Sequence, residues 1–393
     1  MTVQDSAQAP TVPVAVPPRG RWRGTTLALA FDPRRNSVNA LRLGLAGIVL
    51  LSHTLKLHGG SDPVELVTGS SVDAGTMAVD GFFALSGFLI VGSFLGSPST
   101  GRFLWRRCLR ILPGFWVCLL VTAFVLLPVA QLMERGTLAG FPLTGEESAL
   151  SYVTSNAALF VRQYEVTGLL DGGSVNGSLY TLFYEFACYL GVAVLGAVGL
   201  LRRRTWPLLV TAALVWAFAL EQLLTGAAAV AGSETLSTAL RFGAMFLAGA
   251  LAHRLSARLP LSRAGGAVAA LVLAQAVVLS SFAGGDPDGT LVYLLVAPPA
   301  VAYLVLLAGS SPRLRTVGAD RDLSYGLYVY AWPAQKLVLL AGAAMWPVGT
   351  FGLVSLALAL LLAWASWTWV ESPALRLKAW TPAFLQREGV AGR

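Results

Sequence analysis

Two ionisable residues, Arg42 and His53, lie in one apolar stretch, "NALRLGLAGIVLLSHTLKL" at positions 39–57. A charged side chain at the centre of a membrane span costs about 2.5–3.5 kcal/mol on insertion scales, so such residues mark candidate functional sites. The two residues are eleven positions apart, which is close to three helical turns. A helix therefore places both side chains on one face, about 16 Å apart. Imidazole is the usual general base at neutral pH, so we predict that His53 accepts a proton. For Arg42, a part in a functional site and simple anchoring at the membrane interface are equally good interpretations.

Two acidic residues also fall in apolar stretches: Asp80 in "VDGFFALSGFLIVGSFLG" and Glu185 in "GSLYTLFYEFACYL". A carboxylate in hydrocarbon needs either a partner or a proton. For Glu185 the alternative is a structural ion pair with an arginine, and Asp80 could instead simply lie in the headgroup region. We predict that both contribute to substrate binding, and either one could orient the imidazole of His53.

A basic cluster, "RRCLR" at positions 106–110, precedes the third apolar stretch. Such a cluster anchors the cytoplasmic end of a span. The arginine pair Arg107 and Arg110 also suits phosphate or pyrophosphate groups, because the planar guanidinium matches their oxygens. The two interpretations are compatible, and both stay open.

The composition predicts a membrane protein. Of 393 residues, 55% are hydrophobic and 12% are charged, against roughly 25% charged in soluble domains. Repeated apolar runs predict an all-α, polytopic bundle of about ten transmembrane helices. The predicted spans are 39–57, 77–96, 111–133, 178–201, 206–224, 236–252, 264–283, 290–309, 323–343 and 348–369.

The distribution of cations predicts the orientation of the bundle. With both termini in the cytoplasm, all but five of the 28 Lys and Arg residues fall on the inside, as the positive-inside rule requires. The net charge of +8 therefore reflects membrane topology, and no nucleic-acid partner is expected. The segment 134–177, rich in Glu and Asp, is predicted to lie outside.

The chain is predicted to consist of one membrane domain with two tails. Residues 1–35 form a disordered cytoplasmic tail, 36–378 the transmembrane domain, and 379–393 a short cytoplasmic tail. The three cysteines have no zinc-type spacing, so no metal site is expected.

Six segments, taken in order, resemble the integral-membrane acyltransferase family 3, and they cover about residues 36 to 378. The family comprises O-acyltransferases that modify surface polysaccharides, peptidoglycan, lipids and some antibiotics. Where many members read Leu-Trp-His-Pro late in the chain, this sequence has Tyr-Ala-Trp-Pro at 330–333, which resembles the branch that modifies exopolysaccharides. The segments are Arg42 to His53, "VDGFFALSGFLI", "RRCLRILP", "LYTLFYEF", "LSYGLYVYAWP" and "WVESP".

The resemblance implies transfer of an acyl group, usually acetyl from acetyl-CoA, to a hydroxyl group. It implies that His53 is catalytic, with Arg42 and the pair Arg107 and Arg110 as essential partners. We therefore predict a multi-pass enzyme of the cell membrane that uses acyl-CoA as donor substrate, binds no cofactor, and acylates a cell-surface or exported glycan. A macrolide or another small secondary metabolite is the alternative acceptor. A transporter or flippase is the alternative that is not an enzyme.

Overall fold

The computed structural model describes residues 25–69, 72–225, 233–283, 288–380 and 382. Across these residues the fold is helical, and the only β-structure is an isolated bridge between Thr26 and Pro260. Ten long helices form the bundle. We label them α1 (Val38–Leu57), α2 (Ala74–Leu95), α3 (Thr100–Arg135), α4 (Tyr180–Ala197), α5 (Trp206–Thr225), α6 (Ser233–Arg254), α7 (Arg263–Phe282), α8 (Asp288–Gly309), α9 (Ser324–Leu340) and α10 (Val348–Ala379).

Each predicted span corresponds to one of these helices, which confirms the all-α polytopic architecture. Among the described residues, nine helices are long and apolar enough to cross a membrane by length and composition. The remaining one, α9, has 17 residues. Two helices are longer than a simple span because a π-helical segment of five residues continues each of them, Thr122–Leu126 in α3 and Trp367–Glu371 in α10.

The start of α3 corrects the sequence interpretation. The span was predicted to begin at residue 111, with the basic cluster in front of it. The helix begins at Thr100, because the hydroxyl of Ser99 accepts a hydrogen bond from the backbone N–H of Arg102 at 3.2 Å and caps it. The arginines of 106–110 therefore lie on the first turns of the helix, which fixes their spacing.

The centre of the bundle is a close crossing of α2 and α6. A Cβ atom added at Gly87 would lie 1.9 Å from the carbonyl oxygen of Phe246, and one at Gly249 would lie 1.8 Å from that of Ala84. Only glycine fits at these two positions, so the backbones of the two helices touch. This contact places the opposite face of α2, which carries Phe82 and Ser86, towards α4.

The segment 25–35 corrects the prediction of a disordered tail. The short helix Leu27–Ala30 packs against the chain that follows α6. Leu27 is fully buried, and its N–H donates to the carbonyl of Leu259 at 2.8 Å. Burial of an apolar side chain and pairing of backbone groups offset the entropy lost on ordering this segment. Residues 1–24 of the predicted tail lie outside the described residues, as does the chain after 382.

The two ends of the bundle differ in charge. One end, here called the basic end, carries Arg42, the four arginines at the start of α3, and Arg313 and Arg315 after α8. The other end carries the segment 134–177, which contains the helix Ala149–Asn156. That the basic end faces the cytoplasm stays a prediction from the positive-inside rule.

A topology experiment tests this orientation. A reporter inserted at Gly140, which has a positive φ of 72° in an exposed loop, is expected to report the outside. Reporters at Arg315 and at the C-terminus are expected to report the cytoplasm. A cytoplasmic signal from Gly140 would contradict the predicted arrangement.

Candidate active site

A cavity of about 610 Å³ opens at the basic end, a volume in the usual range for ligand sites. We call it the basic cavity. Its wall is formed by α1, α2, α3, α4, the segment before α9, and the end of α10. Six cationic side chains line it against two acidic ones, so its net charge is strongly positive. The cations are Arg42, Arg102, Arg106, Arg107, Arg110 and Lys378, and the acids are Glu185 and Asp322.

Asp322 joins two of the predicted site arginines. Its Oδ2 accepts from the Arg42 guanidinium at 3.1 Å and from that of Arg110 at 2.6 Å. Arg110 also lies 3.7 Å from the carboxylate of Glu371. Burial alone would raise the pKa of Asp322, but the attraction of Arg42 and Arg110 outweighs it and holds that pKa well below its usual range. The carboxylate therefore stays ionised and keeps the two cations in place.

The positive charges of the other arginines in the cavity are less compensated by acidic neighbours. Arg107 donates to the hydroxyl of Ser93 at 3.3 Å and lies over the rings of Phe103 and Tyr189, with ring centroids 5.9 and 6.0 Å from its Cζ. No salt bridge to Arg102, Arg106 or Arg107 occurs within the described part of the chain. Their charges are therefore available to an anionic ligand.

Glu185 lines the basic cavity, as its predicted role in substrate binding requires. Its carboxylate accepts hydrogen bonds from the hydroxyl of Tyr189 and, at 3.3 Å, from that of Ser86. The alternative of a direct ion pair with an arginine is not seen among the described residues. Its role in substrate binding stays a prediction.

Asp80 has a different environment. It is fully buried, and its Oδ1 accepts from Nε of Arg241 at 2.8 Å. Arg241 also donates to the carbonyl of Thr76 at 3.1 Å. Asp80 lines neither the basic cavity nor the smaller one described below, and its partner makes it a structural ion pair between α2 and α6. The predicted binding role of Asp80 has no test here and stays a prediction.

His53 lies on α1 together with Arg42, so the prediction that one continuous helix carries both residues is confirmed. It does not line the basic cavity. Its ring packs edge-on against that of Trp332 on α9, with centroids 4.8 Å apart and planes at 84°. Its Nδ1 is buried and has no hydrogen-bond partner within the described ranges. No hydrogen bond joins it to Asp80 or Glu185 in these ranges, so neither orients the imidazole.

A second, smaller cavity of about 40 Å³ adjoins the basic cavity. It shares Arg42, Phe82 and Glu185 with the basic cavity, and Tyr325 and Tyr328 of α9 also line it. Trp332 lies one turn beyond Tyr328 on the same helix face. One face of α9 therefore extends from the arginines to the histidine, across the middle of the bundle.

Comparison with known proteins gives the family. A family model described as an acyltransferase domain matches residues 35–370, which is most of the chain. The chain belongs to acyltransferase family 3. The predicted resemblance is confirmed, and the protein is an acyltransferase that transfers groups other than aminoacyl groups.

Two curated relatives of this acyltransferase agree with that assignment. The chain is 25% identical to an O-acetyl transferase of Shigella phage Sf6 over 309 residues, which cover 78% of this chain and 86% of the phage protein. It is 26% identical to Nodulation protein 10 of Rhizobium leguminosarum bv. viciae over 365 residues, which cover 88% and 94% of the two chains. No solved structure matches the chain.

Sequence reasoning missed two residues of the candidate site. Asp322 lies in a polar connection, where an acidic residue is unremarkable, and Glu371 was noted only as part of "WVESP". Their position next to two motifs, "LSYGLYVYAWP" and "WVESP", was the available signal. Within the described residues, no group of His, Cys, Asp and Glu is arranged to hold a metal ion. That the enzyme needs no metal stays a prediction.

Proposed function

We propose that this acyltransferase moves an acetyl group from acetyl-CoA to a hydroxyl group of a cell-surface or exported glycan. The observation that carries the proposal is the basic cavity, in which six cations face two acids. Coenzyme A carries several phosphate charges, and arginine guanidinium groups bind phosphate oxygens with two parallel hydrogen bonds. The positive-inside rule supports a cytoplasmic opening of this cavity, on the side of the membrane where acyl-CoA is found.

The proposed reaction proceeds in two proton steps. The imidazole of His53 takes the proton of the acceptor hydroxyl as its oxygen attacks the thioester carbon. The carbon–sulfur bond then breaks, the new ester forms, and the CoA thiolate takes the proton back from His53. The donor enters from the basic cavity past Arg42, and the acceptor reaches His53 from the opposite end of the bundle.

The identity of the acceptor and that of the acyl group are supported by different observations. The name of the phage relative, O-acetyl transferase, favours acetyl as the group and oxygen as the accepting atom. The glycan acceptor follows from the late motif at 330–333, which resembles the exopolysaccharide branch of the family. Both belong to the proposal, as does the location in the cell membrane.

Exchange of arginine for lysine tests the donor site. Lysine keeps the charge but loses the planar fork, so Arg107→Lys and Arg110→Lys are each expected to raise the KM for acetyl-CoA. Loss of one charge-assisted contact of about 1.5–3 kcal/mol corresponds to about a ten- to hundredfold change. The measurement is the initial rate of CoA release against acetyl-CoA concentration, in membranes with equal amounts of each variant.

The matched control is Arg315→Lys, which changes an exposed arginine at the same end of the bundle that does not line the cavity. It should leave the KM unchanged. Wild-type kinetics from both Arg107→Lys and Arg110→Lys would show that these arginines only anchor the helix, and the donor site would then lie elsewhere.

A further inference from the structure

His53 lacks the partner that usually orients a catalytic imidazole. In a general base, the second ring nitrogen typically donates to a carboxylate or a carbonyl, which fixes both the tautomer and the plane of the ring. Here Nδ1 of His53 is buried without a hydrogen-bond partner in the described chain. Asp73, the acidic residue at this end of α2, is already engaged by Lys56 and by the N–H of Thr76.

Trp332 supplies the directional contact instead. The rings of Trp332 and His53 meet at 84° with their centroids 4.8 Å apart. Aromatic rings favour this edge-to-face arrangement, because the positive edge of one ring meets the negative face of the other. The contact therefore favours one orientation of the imidazole.

Trp332 is itself held from two sides. Its indole N–H donates to the carbonyl of Ser174 at 2.9 Å, in the segment that leads into α4. A Cβ atom at Gly177 would lie 3.3 Å from three carbon atoms of the indole, so the glycine backbone packs directly against the ring. A side chain fixed by both packing and a hydrogen bond can hold a neighbour in a defined geometry.

We propose that Trp332 is the positioning residue of this acyltransferase, and that its ring holds the imidazole of His53 in the orientation that takes the acceptor proton. The inference rests on the proposed role of His53 as the base. Trp332 also lies one turn from Tyr328, which lines the smaller cavity, and its ring contacts that of His53. It therefore acts where the thioester and the hydroxyl group have to meet, and away from the arginines that bind the donor.

The test compares Trp332→Phe and Trp332→Leu with wild type in membranes of the native host. We expect Trp332→Leu to lower the maximal rate of CoA release from acetyl-CoA by about tenfold to a hundredfold, as expected for a misplaced catalytic group. The KM for acetyl-CoA should stay the same, because the basic cavity is intact. Trp332→Phe keeps an aromatic ring and should restore most of the rate.

The matched control for these variants is Trp116 of α3. Its indole N–H also donates to a carbonyl of the segment 134–177, that of Ala157, at 2.9 Å, but its ring is not the one that meets His53. Trp116→Leu should therefore leave the maximal rate unchanged. An equal loss from Trp116→Leu would show that only the attachment of the segment 134–177 matters, and it would overturn the proposal.

A second variant displaces the indole without removing it. Gly177→Ala adds a methyl group against the ring of Trp332, so it should lower the maximal rate with the KM for acetyl-CoA unchanged. The control is Gly191→Ala on α4, where an added Cβ meets nothing within 4 Å. If Trp332→Leu does not accumulate, the comparison of Gly177→Ala with Gly191→Ala still tests the proposed role of Trp332.

Three further outcomes would contradict the inference. Wild-type rates from both Trp332→Leu and Gly177→Ala would overturn it, and so would a loss that appears in the KM for acetyl-CoA alone. A Trp332→Phe variant no better than Trp332→Leu would also count against a role for the ring. Full activity of His53→Ala, or no CoA release by wild type, would instead overturn the proposed function on which the inference rests.

Discussion

Replacement of His53 by alanine is expected to abolish acyl transfer while the protein still inserts and accumulates normally. Alanine cannot take the proton of the acceptor hydroxyl, and removal of a general base typically costs about 10²–10⁴-fold in rate. Arg42 and the basic cavity are unchanged, so binding of acetyl-CoA should persist. The measurement is the rate of acetyl transfer per amount of protein in membranes.

His58→Ala is the matched control for this experiment. His58 lies directly after the same helix, but its Nε2 is bonded to the carbonyl of Trp346 at 2.8 Å, and its ring stacks on Phe351. Its replacement should change the rate little. Retention of most activity by His53→Ala would remove His53 as the base.

Replacement of Asp322 by alanine is expected to destabilise the protein. Arg42 and Arg110 would lose a carboxylate at 3.1 and 2.6 Å, and hydrogen bonds to charged groups contribute about 1.5–3 kcal/mol each. Acetyl-CoA should restore part of the stability, because its phosphates can replace the lost carboxylate. The measurement is the thermal unfolding midpoint of the purified protein with and without acetyl-CoA.

Asp320→Ala is the matched control, since Asp320 is exposed and lies in the same connection. It should leave the midpoint unchanged. The folded-state pKa of Asp322 is lowered by its two arginines, so its contribution to stability is complete above the usual carboxyl pKa of about 3.9 and is lost as the pH falls below it. The difference between wild type and Asp322→Ala should therefore be constant near neutral pH. An unchanged midpoint in Asp322→Ala would contradict the assigned role.

The sequence predicted the features that depend on local patterns. Arg42 and His53 share a helix because both lie in one apolar run that is long enough to span a membrane. The long helices follow from apolar length alone. The start of α3 was misplaced, because the capping hydroxyl of Ser99 determines that end and hydropathy does not detect it.

The sequence did not reveal contacts between distant parts of the chain. Asp322 bonds to Arg42 across 280 positions, and the contact of Trp332 with His53 connects α9 to α1. Neither can be read from periodicity, since both depend on how the helices pack. For the same reason, the sequence did not show that Asp80 pairs with Arg241, which lies on α6, the helix that crosses α2. For Glu185 the sequence predicted a partner or a proton, but not that Tyr189 and Ser86 are the partners.

Binding of acetyl-CoA to the purified protein tests the central claim most directly, because it needs no acceptor. A ligand that binds only the folded protein stabilises it by about 2.7 kcal/mol at a hundred times its Kd. We predict that acetyl-CoA raises the thermal unfolding midpoint in a concentration-dependent manner, in wild type and in His53→Ala alike. We predict a much smaller shift for Arg107→Lys, and for acetyl-pantetheine, which lacks the nucleotide phosphates. No shift with acetyl-CoA, or an equal shift with acetyl-pantetheine, would contradict the assignment of the basic cavity as the donor site.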